Sequence, residues 1–394
     1  MFNATKTLLS VGVSAVLAAA FTAMGTAPAG ADPFPAGTPV LTSDLTPETQ
    51  QSGHVAVPAD DVMHPDSWVE WWYTMLRDPA SKRTFIAVIT SAPAPAVSAV
   101  FMYGNGTDLL SAPAGGILPG GGLPVLPPAN DGLPGVRTIA GGLDFDPVRG
   151  AYHLVLQAPV QADVWFDGAP LPGATGRMTI DDGEWMGWSA PVASSTVHGW
   201  VRSPGGAREN VDGWRGYHDH NWGHFTMVDQ RADGWEWGVS FEPDGGATLL
   251  GGLVRRGGQW KGTLVDVRPS GTRACVPTTL QLSDWYSGPT PLSGATFALP
   301  ATITAACAPP PGLPGAISSG GELYGADAEF AATFHLTESL VADGGVLAAS
   351  AEAPYRTVPG SFGIFEHVRS LVSRVEQAGR EGQGTVANPE GGQR

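Results

Sequence analysis

Glycine and proline interrupt this chain so often that long helices have almost no room to form. The 394 residues include 54 glycines and 35 prolines, and stretches with helical periodicity are nearly absent. Short runs rich in valine, isoleucine, threonine and aromatic residues recur instead, separated by turn residues, as in RTFIAVITS, AYHLVLQA and KGTLVDVRP. Closely spaced runs of this kind are typical of antiparallel β-sandwiches and β-barrels. We therefore predict an all-β fold.

The N-terminus is an exception to this pattern. Lys6 precedes an apolar run from Thr7 to Met24, and the following APAGADP offers small residues at a cleavage position. This order is typical of a secretory signal peptide, here 1–31, although a membrane anchor is the alternative. We predict a protein that is secreted or held in the cell envelope. No later apolar run approaches the ~20 residues needed to span a membrane, so we expect no transmembrane segment after signal removal.

A second exception lies near the C-terminus. The stretch SFGIFEHVRSLVSRVEQAG has apolar residues at helical spacing, among them Phe365, Val368 and Leu371. This spacing predicts a C-terminal helix near 361–376. The polar residues 377–394 that follow are predicted to be a disordered tail.

The rest of the chain divides into two predicted β domains. Removing the signal leaves about 363 residues, more than one ordinary hydrophobic core accommodates. The sequence EWWY at 70–73 and the sequence EWGV at 236–239 are each followed by a turn with Asp and Pro and by an apolar strand. We predict an N-terminal domain, 32–225, and a similar C-terminal domain, 226–376.

Charge and cysteine content narrow the list of partners. The full chain has 37 acidic and 21 basic residues, a net charge of -16, which disfavours binding to nucleic acid or anionic membranes.

Its two cysteines, Cys275 and Cys307, together with the export signal suggest a disulfide, which would contribute roughly 3–4 kcal/mol. No nucleophile elbow, P-loop or dinucleotide motif occurs, so we predict no cofactor. We expect a monomer.

The stretch HPDSWVEWWYTML at 64–76 places a carboxylate among tryptophans. Side chains alternate along a strand, so Glu70 and Trp72 share one face, while Trp71 and Tyr73 share the other. If the face of Glu70 points inward, we expect desolvation to raise its pKa and make it a proton donor near neutral pH. The alternative is an exposed carboxylate on the outside of a barrel.

The stretch GYHDHNWGHF at 216–225 concentrates three of the chain's nine histidines. The spacing of His218 and His220 puts both imidazoles on one strand face, as a metal site on a β scaffold requires. His224 follows four residues later and would complete a metal site with three histidine ligands. Gly223 is expected to end the strand before it, and no carboxylate ligand can be placed, so we predict no metal.

The opposite face of the same strand carries Tyr217, Asp219 and Asn221. An aspartate between an aromatic hydroxyl and an amide can be oriented by hydrogen bonds and kept protonated, as acid–base chemistry requires. The alternative is a buried polar network that pins the two domains together. The sequence alone does not distinguish an acid–base site from a structural polar network.

These stretches also resemble a known family. DDVMHPDSWVEWWY and GYHDHNWG are similar to the two signatures of the carotenoid 1,2-hydratase (hydroxyneurosporene synthase) and AttH-like family, in the right order and some 150 residues apart. The resemblance covers roughly 55–260. It implies two packed lipocalin-like antiparallel β-barrels with an apolar pocket. In that family the position of His220 is not fixed as histidine, which further weakens the metal interpretation. The export signal is a departure from the carotenoid enzymes and puts a carotenoid substrate in doubt.

The favoured function is a hydratase, lyase or cyclase that acts on a small apolar alkene of isoprenoid-like or polyketide type. A neutral buried carboxylic acid would protonate the alkene, and tryptophan faces would stabilise the cation. Asp219 is the predicted acid, Glu70 the alternative acid or water base, and His218 an orienting partner. The predicted substrate-binding residues are His64, Trp71, Trp72, Tyr73, Tyr217, Asn221, Trp222 and Trp237.

Two other functions compete with this one. Lipocalin-like barrels often only bind, so a non-catalytic lipid or isoprenoid carrier is possible. Tryptophans and paired carboxylates also suit sugars, so a secreted carbohydrate-active hydrolase is the second alternative. A closed apolar cavity would argue against the hydrolase.

Overall fold

A computed structural model of the chain describes most of the segments predicted to form strands. The described residues are 40–42, 50–102 except 82 and 93–95, 123–124, 132–225 except 158–159, 182 and 204, 232–255, 260–289 except 276 and 278, 296–307, 330–335, 338–342, 346–352 and 360–370. The predicted signal 1–31 and the predicted tail 377–394 lie outside these residues. Among the helices within them, none is long and apolar enough to cross a membrane.

The described residues form strands and one short 3-10 helix, Pro58–Asp61. The strands, in chain order, are β1 Val40–Thr42, β2 Gln50–Val55, β3 Val69–Arg77, β4 Thr84–Ala92, β5 Ala96–Met102, β6 Leu123–Pro124, β7 Gly135–Thr138, β8 Gly141–Asp146, β9 Ala151–Leu156, β10 Gln161–Leu171, β11 Ala174–Asp181, β12 Glu184–Arg202, β13 Glu209–Asn210, β14 Arg215–His224, β15 Ala232–Phe241, β16 Ala247–Arg255, β17 Trp260–Arg268, β18 Gly271–Cys275, β19 Thr279–Pro289, β20 Thr296–Cys307, β21 Phe330–His335, β22 Glu338–Ala342, β23 Val346–Glu352 and β24 Phe362–Ser370.

The largest sheet is antiparallel and curls into a nearly closed barrel, here called the first barrel. Its strands follow the order β6-β5-β4-β3-β14-β12-β10-β9-β8-β7, and β2, β11 and β13 attach beside β12. Side chains from strands far apart in this order, such as Ile89, Val136, Leu154 and Val192, belong to one buried cluster. Because a flat sheet could not bring them together, this cluster is the barrel interior. The predicted all-β, lipocalin-like fold is confirmed.

A seven-stranded sheet covers the outside of the first barrel. Its strand order is β18-β17-β16-β15-β24-β23-β22. A second buried cluster joins Trp188 and Tyr217 of the first barrel to Trp237, Val239 and Leu249 of this sheet. The strands β3, β12 and β14 are therefore buried on both faces. A separate four-stranded sheet has the order β1-β19-β20-β21.

The predicted helix near 361–376 is wrong for the residues that the structure describes. Phe362–Ser370 forms the strand β24, which pairs with β15 and β23. The adjacent side chains of Ile364 and Phe365 are both buried. A strand with two buried faces loses the two-residue alternation, so its apolar run is easily taken for a helix.

Two further predictions concern chain organisation. Cys275, at the end of β18, is disulfide-bonded, and the sequence has one other cysteine, Cys307. The domain limits 32–225 and 226–376 stay predictions.

Gly216 provides a test of the barrel packing. A Cβ at this position would lie 2.4 Å from Val197 Cγ1 and 2.8 Å from the Phe166 ring. We expect Gly216→Ala to lower the free energy of unfolding by about 1–3 kcal/mol, measured by urea denaturation, because it overpacks the core. Gly251→Ala is the control, since its Cβ would lie 3.4 Å from the Trp188 ring, an ordinary contact. Equal losses in the two variants would contradict this account.

Candidate functional site

Polar side chains of the strand β14 lie in two separate cores, one inside the first barrel and one between this barrel and the seven-stranded sheet. In register with β3, His220 lies opposite Trp72, Trp222 opposite Glu70, and Asp219 opposite Tyr73. Residues that alternate along a strand point to opposite sides of the sheet. Glu70 and His220 therefore face the barrel interior, while Asp219 faces the seven-stranded sheet. Glu70 is therefore not on the wall that carries Asp219, whereas Trp71 of the same strand is on that wall.

Glu70 is the centre of the inner cluster. Its Oε1 accepts hydrogen bonds from the His64 backbone N–H at 2.6 Å, from His64 Nδ1 at 3.1 Å and from His220 Nε2 at 3.1 Å. Its Oε2 accepts one from the Ser91 hydroxyl at 2.5 Å. The side chain is only 1% exposed. A buried carboxylate with this many donors is stabilised in its charged form.

The ionisation of Glu70 follows from these bonds. Burial alone would raise its pKa, but the hydrogen bonds from His220, His64 and Ser91, with the charge of His220, lower the pKa from 4.5 to about 2. Glu70 is therefore a carboxylate at any physiological pH. The expectation that burial makes Glu70 a proton donor is wrong, because its donors outweigh its desolvation.

His64 is the most accessible member of the inner cluster. Its side chain is 27% exposed, whereas that of His220 is fully buried. The His64 ring stacks on Trp222 with centroids 4.4 Å apart and planes parallel. Trp222 in turn needs Gly187, because a Cβ there would lie 2.3 Å from the Trp222 ring. Glu70 and Trp222 together fix the position of the His64 imidazole.

The 3-10 helix adds a second carboxylate to the inner cluster. Asp61, at its end, is fully buried, and its Oδ2 lies 3.1 Å from His218 Nε2. His218 Nδ1 lies 3.0 Å from the Tyr73 carbonyl oxygen, to which it donates. Burial alone would lower the pKa of His218, but the charge of Asp61 and the hydrogen bonds to Asp61 and Tyr73 raise it. His218 is thus oriented by Asp61.

Asp219 belongs to a different network between the two sheets. Its Oδ2 accepts hydrogen bonds from the Tyr217 hydroxyl at 2.6 Å and from Trp188 Nε1 at 3.1 Å, and its Oδ1 accepts one from Asn221 Nδ2 at 2.7 Å. Trp237 Nε1, from the seven-stranded sheet, donates to the Tyr217 hydroxyl at 3.3 Å. Burial raises the pKa of Asp219 to about 6 against the opposing hydrogen bonds. Asp219 is 2% exposed.

The predicted site residues are divided between these two networks. The inner cluster contains Glu70 and His218 of the predicted catalytic set and His64, Trp72 and Trp222 of the predicted substrate-binding set. The inter-sheet face contains Asp219 with Trp71, Tyr73, Tyr217, Asn221 and Trp237. The roles assigned to these residues stay predictions. Asp61, Ser91, Tyr152 and Trp188 were not predicted as site residues, although Asp61 stands in the stretch DDVMH that carries the resemblance.

The inner cluster also contains a group that could hold a metal. His64, Glu70 and His220 offer ligand atoms that all lie within 4.8 Å of one another. His224, by contrast, lies 2.8 Å from the Asp66 carbonyl oxygen and stacks on Trp68. The three-histidine site considered from the sequence is therefore not assembled. The two imidazoles of the inner group instead point ring N–H groups at Glu70 Oε1.

Comparison with known proteins supports the fold. No protein-family model and no curated protein matches the chain. CghA solved with Sch210972 aligns with a TM-score of 0.51 and 12% identity over 87% of this chain and 97% of CghA. Kievitone hydratase from Nectria haematococca aligns with a TM-score of 0.47 and 11% identity over 82% and 97%. An AttH-type protein from Nitrosomonas europaea aligns with a TM-score of 0.47 and 14% identity over 80% and 97%.

The alignment with CghA agrees with the predicted lipocalin-like fold. At such low identities the likeness to CghA shows the fold alone. The finer resemblance to carotenoid 1,2-hydratase stays a prediction.

The raised pKa of Asp219 predicts a pH-dependent stability. Because the pKa rises from 3.8 to about 6 on folding, the folded state holds this proton more tightly than the unfolded chain. The stabilising effect is complete below the unfolded pKa and is lost as pH rises through the folded pKa, a loss of roughly 3 kcal/mol. We expect Asp219→Asn to gain stability relative to the wild type between about pH 4 and pH 7, measured by urea denaturation. Parallel pH curves for the two proteins would contradict this.

The group of His64, Glu70 and His220 predicts a low metal content. A metal ion would have to replace the ring N–H groups that Glu70 Oε1 already accepts, and both imidazoles would have to turn toward the ion. We expect elemental analysis of untagged protein to find well under one transition metal per chain. A stoichiometric metal that disappears in His64→Ala would contradict this expectation and establish a metalloenzyme.

Proposed function

We propose that the protein is a secreted enzyme of the hydratase or cyclase type that acts on a small, largely apolar alkene at the opening of the first barrel. Its substrate would be isoprenoid-like or of polyketide origin, and His64 would transfer the proton. The signatures that resemble the hydratase family support this class of chemistry. The pairing of His64 with an ionised Glu70 is the observation that carries the proposal.

Glu70 determines which nitrogen of His64 can act as a base. A carboxylate whose pKa is about 2 carries no proton near neutral pH, so His64 Nδ1 must donate the hydrogen between them. The lone pair of a neutral imidazole is then on Nε2. Nε2 makes no hydrogen bond within the described part of the chain, and the side chain is partly exposed. Such an oriented imidazole is a general base.

In the proposed hydration, the His64 imidazole both removes a proton from water and returns it to the substrate. Nε2 removes a proton from water while the water oxygen bonds to one alkene carbon. The alkene π pair moves to the neighbouring carbon, which takes the proton back from the imidazolium. The net reaction adds water across the double bond, and its reverse is a dehydration. Since the attack precedes protonation, the alkene must be polarised by an electron-withdrawing neighbour.

This order differs from the acid-first mechanism that the sequence suggested. Glu70 is ionised and so cannot protonate an alkene, whereas Asp219 can be protonated but lies on the other side of the sheet. A cyclisation can use the same residue, since His64 would remove a proton from the substrate and thereby start bond formation within it. The apolar side chains of the barrel interior would hold the carbon skeleton.

The two alternative functions receive less support. A carrier needs an apolar interior but has no use for an oriented base at its opening. A glycosidase needs two carboxyl groups on either side of one bond. The two carboxylates that the sequence singled out, Glu70 and Asp219, face opposite sides of the sheet. The fold neighbour CghA, solved with Sch210972, is consistent with a ligand-binding barrel.

A substitution of His64 tests the proposal. The protein would be incubated in isotopically labelled water with a panel of carbonyl-conjugated isoprenoid and polyketide alkenes. Hydration adds one labelled water to the product, whereas cyclisation leaves the mass unchanged. We expect His64→Gln to reduce turnover by ~10²–10⁴-fold, the usual contribution of general acid–base catalysis, with little change in thermal stability.

His224→Gln is the matched control. His224 lies on the same sheet face, also stacks on a tryptophan and is also partly exposed, but its ring nitrogen contacts a backbone carbonyl rather than Glu70. It should keep wild-type turnover. Unchanged turnover in His64→Gln would exclude His64 as the base, and a panel compound that binds the wild type without conversion would identify a carrier.

A further inference from the structure

His220 lies between two buried carboxylates of the inner cluster. Its Nε2 is 3.1 Å from Glu70 Oε1, and its Nδ1 is 3.4 Å from Asp61 Oδ1. A neutral imidazole carries one ring hydrogen and can donate to only one of two acceptors, whereas an imidazolium donates from both nitrogens. A carboxylate at each ring nitrogen therefore favours the charged form of His220, and both contacts are ion pairs.

Aromatic faces hold the His220 ring in this orientation. The ring stacks on Trp72 with centroids 4.2 Å apart and 11° between the planes, and the Trp222 ring lies 4.9 Å away. Because a cation is attracted to the face of an indole, Trp72 favours the same charge that the two carboxylates favour. The His220 side chain is fully buried, so these attractions are weakly screened by solvent.

Asp61 is itself fixed by further contacts. Its Oδ2 lies 3.1 Å from His218 Nε2, and His218 Nδ1 lies 3.0 Å from the Tyr73 carbonyl oxygen, to which it donates. Burial, the charge of Asp61 and a hydrogen bond to Asp61 raise the pKa of the Tyr152 hydroxyl well above its usual value. The Asp61 carboxylate is thus held from several directions while it faces His220.

A continuous series of polar contacts joins Asp61 to the proposed base. Asp61 contacts His220, His220 contacts Glu70, and Glu70 Oε1 lies 3.1 Å from His64 Nδ1. A carboxylate beside a catalytic imidazole keeps the ring in one tautomer, and turnover falls when the wrong nitrogen carries the hydrogen. Burial raises the pKa of Glu70, and the hydrogen bond and charge of His220 help to lower this pKa to about 2.

We propose that Asp61 and His220 are positioning residues for the reaction of His64. They act through Glu70, whose carboxylate they hold in place, so that the His64 hydrogen stays on Nδ1 and the lone pair on Nε2. Neither residue touches the substrate in this arrangement. The inference rests on the proposed function for its effect on turnover, whereas the tautomer of His64 can be measured without a substrate.

The ring hydrogens of the two histidines provide the direct test. The full chain would be labelled with ¹⁵N-histidine, and long-range proton–nitrogen NMR spectra at the pH of the turnover assay would show which ring nitrogens carry hydrogens. Signals are assigned from their absence in His64→Gln and His220→Gln. We expect the His64 hydrogen on Nδ1 and hydrogens on both nitrogens of His220. A single ring hydrogen on His220, or a His64 hydrogen on Nε2, would overturn the inference.

His220→Gln and Asp61→Asn test whether the series of contacts controls His64. The first variant keeps an amide donor toward Glu70 without the charge, and the second keeps the size of Asp61 without its charge. We expect each to give a mixture of His64 tautomers and to lower kcat by about ten- to hundredfold, with KM changed less than about threefold. This loss is smaller than that in His64→Gln, because the base is still present. A purely structural role would lower stability and leave the tautomer unchanged.

Asp60→Asn and His224→Gln are the matched controls. Asp60 belongs to the same 3-10 helix as Asp61, but its Oδ2 accepts a hydrogen bond from the Thr175 hydroxyl at 2.9 Å. His224 is on the same strand as His220, but its Nε2 contacts a backbone carbonyl oxygen at 2.8 Å. Both variants should keep the wild-type His64 tautomer and wild-type turnover.

The outcomes distinguish this inference from the proposed function. A His64 tautomer that stays unchanged in either folded variant would overturn the positioning role, even where turnover depends on His64. A tautomer that shifts in both variants, in a protein whose turnover is indifferent to His64, would retain the positioning of the imidazole and remove the proposed reaction. Where one variant does not fold, the other variant and the ring hydrogens of the wild-type protein decide.

Discussion

The pairing of β14 with β3, buried on both faces, is the constraint on which the rest of the structure depends. One face of this pair closes the interior of the first barrel, and the other is covered by the seven-stranded sheet. Polar side chains on both strands are thereby removed from water. Each buried polar side chain needs a hydrogen-bond partner. Side chains on one face cannot pair with those on the other face, because the sheet separates them.

Burial alone does not determine what these carboxyl groups do. Glu70 and Asp219 are both nearly inaccessible, yet the pKa of Glu70 falls to about 2 while that of Asp219 rises to about 6. The difference comes from the balance between desolvation and hydrogen bonding. Glu70 is next to two imidazoles, one of which adds a favourable charge, whereas the donors to Asp219 are mainly neutral groups. Glu70 is therefore suited to orient a base, and Asp219 is suited to a structural network.

The inner cluster contains one partly accessible imidazole and a buried group of charged and aromatic side chains. At its accessible end, His64 is held by Glu70 and Trp222 with one nitrogen left unbonded. Deeper inside, Asp61 and His220 form an ion pair at 3.4 Å, and the His220 ring stacks on Trp72. The 3-10 helix Pro58–Asp61 places Asp61 in the barrel, three residues before His64.

The sequence by itself determined the all-β class and which residues share a strand face. Glycine and proline leave little room for helices, and strand periodicity correctly groups Glu70 with Trp72, His218 with His220, and Tyr217 with Asp219 and Asn221. Only the tertiary structure decided what packs against each face, because local alternation contains no information on distant strands. In the folded protein Glu70 and Asp219 lie on opposite faces of the sheet, and the pKa of Glu70 is lowered rather than raised. Asp61 and Tyr152, which are distant in sequence from His218, lie beside it in the barrel interior. For the same reason Phe362–Ser370, in which the adjacent Ile364 and Phe365 are both buried, looked helical in sequence and is a strand.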